Sequence, residues 1–318
     1  MAAPAIPTDT TGRAGEALER LRRRPDIGGR VFQLALLSSL LFTLLVLVVL
    51  VIQVFGDGSS VITGRLGGFL TGGLSSRAAR AGIAQGLRGT FYLCLITAIV
   101  AFPLGIGAAI YLEEYAPRNK LTTFIDINIR NLAGVPSVVY GILGLTIFVK
   151  GFGFRSLTGG STPLAAGLTL AVLVLPVVII TTAEALRSVP QALKEAGYGV
   201  GGTQWEVIRD HMLPYAAPGI LTGTLLSIAR AAGEAAPLIL VGTITGYLTD
   251  VPSWFDVSQI RGRFTAMPIV ITTWARQPQD EFRIDNTAAA IVVLIVFVLL
   301  LNSAAIVLRN RFEKRREA

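Results

Sequence analysis

Two acid–base pairs stand inside stretches that are otherwise apolar. Arg230 and Glu234 lie four residues apart in Ala-Arg-Ala-Ala-Gly-Glu-Ala-Ala-Pro-Leu, and Asp126 and Arg130 share that spacing. On a helix, residues four apart occupy one face. A charge near the middle of a membrane helix costs about 2.5 to 3.5 kcal/mol on insertion scales, so it turns inward, to a partner or to a passage. A guanidinium offers paired planar donors to an oxyanion, and a carboxylate one turn away holds it when no anion is present. The other reading is a structural ion pair, in which each charge exists to satisfy the other. Arg230 and Glu234, near the middle of their segment, fit a passage better; Asp126 and Arg130, near the end of theirs, are a second pathway pair or a structural one. Other chemistry is poorly provided for. One histidine and one cysteine rule out most metal and nucleophile constellations, and no Gly-x4-Gly-Lys-Ser/Thr loop is present, so any ATP hydrolysis belongs to another chain.

The segments that hold these residues read as membrane helices. Hydrophobic residues make up 52% and charged residues 15%, far from the balance of a water-soluble domain. Residues 1–30 carry six arginines and four acids and read as a cytoplasmic tail. Residues 31–55 contain no charge, glycine or proline, which suits a first transmembrane helix. A Gly- and Ser-rich external loop containing a short amphipathic piece is expected over 56–85, followed by a permease-like core over 86–308. Its five spans are placed at 86–112, 122–149, 163–182, 215–243 and 286–308, making six in all. Residues 245–285 are expected outside, with a short external or re-entrant helix over 267–275, and 309–318 form a basic tail. Sixteen of the 28 lysines and arginines fall in segments 1–30, 113–121, 183–214 and 309–318, against nine in the other loops. That excess puts both termini in the cytoplasm. It also explains the net charge of +8 by topology; no basic domain with interleaved aromatics, as nucleic acid would require, is present. The first and last spans lack Gly and Pro, whereas the middle four carry Pro103, Pro136, Pro176 and Pro237 with several glycines. Broken helices survive only where protein or water satisfies the freed backbone, so these four should form the interior.

Between the fourth and fifth spans, residues 188–214 form a polar island. Pro190 suits the start of a first short helix, and Gly199, Gly201 and Gly202 end it by permitting positive φ. Thr203 and Glu206 have the spacing of a capping box, and Pro214 is expected to stop the second helix. Trp205, Ile208 and Met212 should share one face, seeking either the body of the protein or a partner's groove.

The island resembles a known pattern. Glu195-Ala196-Gly197, three residues, Gly201, nine residues and His211-Met-Leu213-Pro214 are similar to the EAA loop of permease subunits in binding-protein-dependent ABC importers, E-A-A-x3-G-x9-I-x-L-P. Gly197 and His211 depart from it. The resemblance implies an all-α membrane protein with six transmembrane helices, the type I ABC importer permease fold, and cytoplasmic coupling helices. It further implies that Glu195, Ala196, Gly197, Gly201, Trp205, Leu213 and Pro214 form the ATPase contact. Ala229 to Leu238, together with Gly134-Val-Pro-Ser-Val-Val-Tyr-Gly141, resembles the permeases of phosphate-specific (Pst) importers, and Glu234-Ala-Ala-Pro-Leu238 is closer to PstA-type than to PstC-type subunits. The similarity runs from about residue 86 to 308. It implies a bacterial inner-membrane complex with a PstC-like permease, a PstB-like ATPase dimer and a PstS-like external phosphate-binding protein, importing inorganic phosphate through a pathway that includes Arg230 and Glu234. No cofactor is implied. A permease for another oxyanion or small solute is the alternative; an ion-coupled secondary transporter would predict repeated halves, which the sequence lacks.

Overall fold

The computed structural model describes residues 27–151, 154–243 and 260–317, and all regular structure among them is helical. The chain forms two units, residues up to Gln53 and residues from Val54 onward. Helix α1, Ile27–Thr71, passes from the first to the second. Residues 27–53 are exposed along their whole length, and from Val31 onward this charge-free apolar surface suits lipid. The remaining described residues of the predicted tail 1–30 continue into this helix, and residues 1–26 lie outside the described residues.

The external loop expected at 56–85 is instead helical as far as Thr71. Its hydroxyls turn back on the preceding turn, with Ser59 donating to the Gly56 carbonyl and Thr63 to that of Ser59. Packing supplies the rest: Val61 and Phe69 are buried with Met267, Trp274, Phe282 and Ala289, and tertiary burial overrides the Gly- and Ser-rich composition. The helix departs from helical geometry at Arg65, φ −150°. There the guanidinium donates to the carbonyls of Ala78 at 2.6 Å and Ala81 at 2.8 Å, and to the Asn286 side chain. A cavity of about 580 Å³ opens beside it, reached by Ser60, Ser76 and Gln279.

Helix α2, Ala84–Ile110, ends in a π turn, Tyr111–Tyr115. The next predicted span, 122–149, is not one helix. Helix α3, Lys120–Ala133, and helix α4, Ser137–Gly144 with its π turn Leu145–Val149, meet at 101°. Pro136 disfavours helical geometry at Val135, and the Tyr140 hydroxyl donates to the Leu132 carbonyl at 2.8 Å, satisfying an acceptor freed by the break. Helix α5, Pro163–Arg187, is capped by the Thr162 hydroxyl, which accepts from the Ala165 N–H. It is the most buried of the long helices. α4 lies so close to it that a Cβ on Gly144 would sit 2.1 Å from the Thr169 hydroxyl, so small residues do let the inner helices touch.

Helix α6, Gln191–Gly199, and helix α7, Gln204–Val207, form the polar island. α7 does not stop at Pro214. It passes through a π turn, Ile208–Met212, into helix α8, Leu213–Gly233, with Pro214 in the first turn, where its missing N–H is tolerated. The span predicted to reach Thr243 breaks at Glu234, whose backbone is extended, and resumes as helix α9, Ala236–Val241. Helix α10, Met267–Trp274, is the short helix anticipated at 267–275, packed against its neighbours as a re-entrant helix can be, with the Met267 N–H donating to the Thr90 hydroxyl at 2.8 Å. A π turn, Glu281–Asn286, leads into helix α11, Thr287–Glu317, so the basic tail continues the last helix as far as Glu317. Residues 245–259 of the expected external segment lie outside the described residues. Among the described residues five helices are long and apolar enough to cross a membrane, or six when the bent α3–α4 pair counts as one.

Candidate functional site

The two sequence motifs that flank the helix breaks meet. A Cβ on Gly141 would lie 2.7 Å from the Pro237 Cα and 2.9 Å from Leu240, so the α4 turn carrying Gly141 rests directly on the chain that follows Glu234. Only glycine permits that approach. Ala231 of α8 is buried with Tyr140, Ala171 and Val174, which fixes the last turn of α8 against α4 and α5.

At this junction Arg230 occupies the last turn of α8 and Glu234 its C-terminal cap, with Nε 3.4 Å from Oε1. The side chains are 46% and 19% exposed respectively. The cation suits the negative end of a helix and the carboxylate does not, so Arg230 holds Glu234 there while keeping donors open to the outside. The guanidinium edge that Glu234 leaves open carries the paired donors an oxyanion would need, and the carboxylate is the partner the guanidinium returns to without one. Asp126 and Arg130 are also paired, at 3.1 Å, but each is about 40% exposed, on a helix with no buried residue. Asp126 joins Glu113, Arg118, Thr122 and Arg187 around a separate cavity of about 390 Å³. Among the described residues no cluster of three or more His, Cys, Asp or Glu could hold a metal ion.

The residues expected in the ATPase contact divide into two sets. Glu195, Ala196, Gly201, Trp205 and Pro214 are exposed, whereas Gly197 is buried and Leu213 partly so. Gly201 turns the chain with φ 86°, and Thr203 and Glu206 form the capping box foreseen from their spacing. Trp205, Ile208 and Met212 do not act as one face. Ile208 and Met212 are fully buried with Leu186, Val189, Val207 and the α2 residues Ile106 and Ile110, while Trp205 is half open. Gly197 departs from alanine for a visible reason: a methyl there would come within 2.9 Å of the Val207 side chain.

Sequence reasoning missed the ties that hold this loop. Lys194 Nζ lies 2.7 Å from Glu114 Oε1, in a pair only 17% and 10% exposed. Arg187 grips Glu113 with two bonds, of 2.9 and 2.6 Å. Adjacent carboxylates after an apolar run were a visible signal, but partners more than 70 residues away were not.

A profile described as "Binding-protein-dependent transport system inner membrane component" matches residues 101–318. The chain is 38% identical over 192 residues to "Probable ABC transporter permease protein YqgI" of Bacillus subtilis, covering 60% of this chain and 63% of that protein. It is 37% identical over 201 residues to "Phosphate transport system permease protein PstA" of Mycobacterium leprae, covering 62% and 61%. Less than two thirds of each relative is therefore matched. In fold it resembles a chain of the bacterial alginate ABC transporter in complex with an alginate pentasaccharide-bound periplasmic protein, at 17% identity and a TM-score of 0.59, over 86% of this chain and 93% of that one. That likeness extends the type I importer permease architecture to most of the helices described above. With its several membrane-spanning helices and a match over more than half its length, the chain belongs to the family of binding-protein-dependent transport system inner membrane components.

Proposed function

We propose that the chain is the PstA-type permease subunit of an ATP-driven importer of inorganic phosphate. The observation that carries this reading is the junction of the two helix breaks, where the motifs resembling phosphate permeases meet at Gly141 and Pro237 beside an open guanidinium. The similarity to a phosphate transport permease supports the choice of cargo. In this reading Arg230 binds phosphate in passage and Glu234 limits its residence, since a site that held the ion too firmly would trap it. The carboxylate also accepts a hydrogen bond from protonated phosphate and repels unprotonated sulfate. Asp126 and Arg130 serve as a structural pair at the edge of the route.

Residues 188–214 face the cytoplasm and receive a PstB-like ATPase dimer, with Glu195, Ala196, Gly201 and Trp205 at the contact and Gly197, Leu213 and Pro214 shaping it. A PstC-like permease completes the pathway and a PstS-like protein delivers phosphate from outside. Both termini are cytoplasmic, ATP is hydrolysed in the partner, and residues 86–308 act as the permease core. Reconstitution of the four components in proteoliposomes tests the assignment. ATP-dependent uptake of radiolabelled phosphate, with sulfate excluded, is the expected result; uptake of another oxyanion in its place, or none, would overturn it.

A further inference from the structure

The two carboxylates of the Tyr111–Tyr115 turn reach in different directions. Glu113 is bonded to Arg187 at the end of α5, and Glu114 to Lys194 in the middle of α6. A third tie joins them, since the Gln204 side chain at the start of α7 donates to the Glu114 carbonyl. One π turn thus holds the last turns of two long helices and both short helices of the 188–214 loop. The apolar floor beneath is shared: Ile106 and Ile110 of α2 pack with Leu186, Leu193, Ile208 and Met212.

We infer that Glu114 and Lys194 are positioning residues that make the loop and the α2 end move as one body, with Glu113 and Arg187 extending that body to α5. This rests on the proposed coupling role of the loop and adds the residues through which its movement enters the bundle. Burial decides between the two pairs. Arg187 is half exposed, so its pair is screened by water, whereas the Glu114–Lys194 pair is nearly enclosed and loses strength slowly with distance. Single neutralisation would strand a buried charge, so both partners must change together.

The test compares the assembled importer carrying Glu114→Gln with Lys194→Met, and the exchanged pair Glu114→Lys with Lys194→Glu. Three readouts are taken: ATP hydrolysis, phosphate uptake, and amide exchange of residues 191–199. The neutral pair should keep hydrolysis within twofold of native, lose at least tenfold in phosphate moved per ATP, and exchange faster across α6. The swapped pair should recover at least half of the native coupling. Native uptake per ATP in the neutral pair overturns the inference, as does failure of both variants to assemble, which would mark the pair as purely structural. Exchange does not depend on the cargo. If the native complex moved no phosphate, the cargo assignment would fall, and unchanged α6 exchange in the neutral pair would separately sink the joint.

Discussion

At the scale of single residues, Arg230 and Glu234 show how far a four-residue spacing can be read. The pairing was legible, because two opposite charges on one apolar helix have nowhere better to go. Their setting was not, because the spacing does not say that the helix ends between them, with Glu234 already extended. Replacing both, Arg230→Gln with Glu234→Gln, leaves no orphan charge, so the variant should assemble with its partners and lose phosphate uptake. Native uptake by an assembled double variant would remove the pair from the pathway. Gly197 offers a second test. Gly197→Ala pushes a methyl against Val207, and overpacking of this kind costs about 1 to 3 kcal/mol. Thermal unfolding of the purified protein should show that loss, and adding Val207→Ala should recover part of it; additive losses would mean the methyl finds room elsewhere.

Elements were legible where the chain's own chemistry sets their ends. The Thr203–Glu206 capping box and the positive φ at Gly201 both appear as their spacing required, because each depends on bonds within a few residues. Pro214 misled for the opposite reason. Proline stops a helix by withholding an N–H, but in the first turn of α8, just beyond a π turn, nothing asks for that N–H. The α3–α4 bend was likewise hidden, since Gly134 and Pro136 permit a break without setting its angle. The Gly201 turn gives a prediction at this scale. A β-branched residue held at positive φ costs about 1 to 3 kcal/mol, and in Gly201→Val that strain reshapes the exposed Tyr198–Trp205 end. The variant should insert normally yet lose ATPase association, while Gly201→Asn, which tolerates the left-handed region, should keep most of it. Equal association of both variants with the ATPase would count against the loop as the contact.

For the whole molecule, the proposed orientation rests on the charge asymmetry of the loops, since packing alone does not fix it. Ser76 and Gln279 open onto one cavity, so cysteines placed at either must react from the same side, and one at Tyr198 from the opposite side. Labelling of Ser76→Cys and Tyr198→Cys by an impermeant maleimide from a single face would overturn the topology. The π turns carry a different consequence, one of heredity. A π turn is a single residue inserted into an α-helix without rotating what lies on either side. Among the described residues four of them sit near the ends of the apolar helices: Tyr111–Tyr115, Leu145–Val149, Ile208–Met212 and Glu281–Asn286. Ile208–Met212 has an α-helix on both sides, and there a gene can lose one codon and keep the phase of its helices. Deleting the exposed Asp210 leaves Ile208 and Met212 three apart, still on one face of an ordinary α-helix, and the shortened protein should still assemble. Deleting Leu221, inside α8, turns every later side chain by about 100°, carries Arg230 away from the α4 junction, and should abolish uptake.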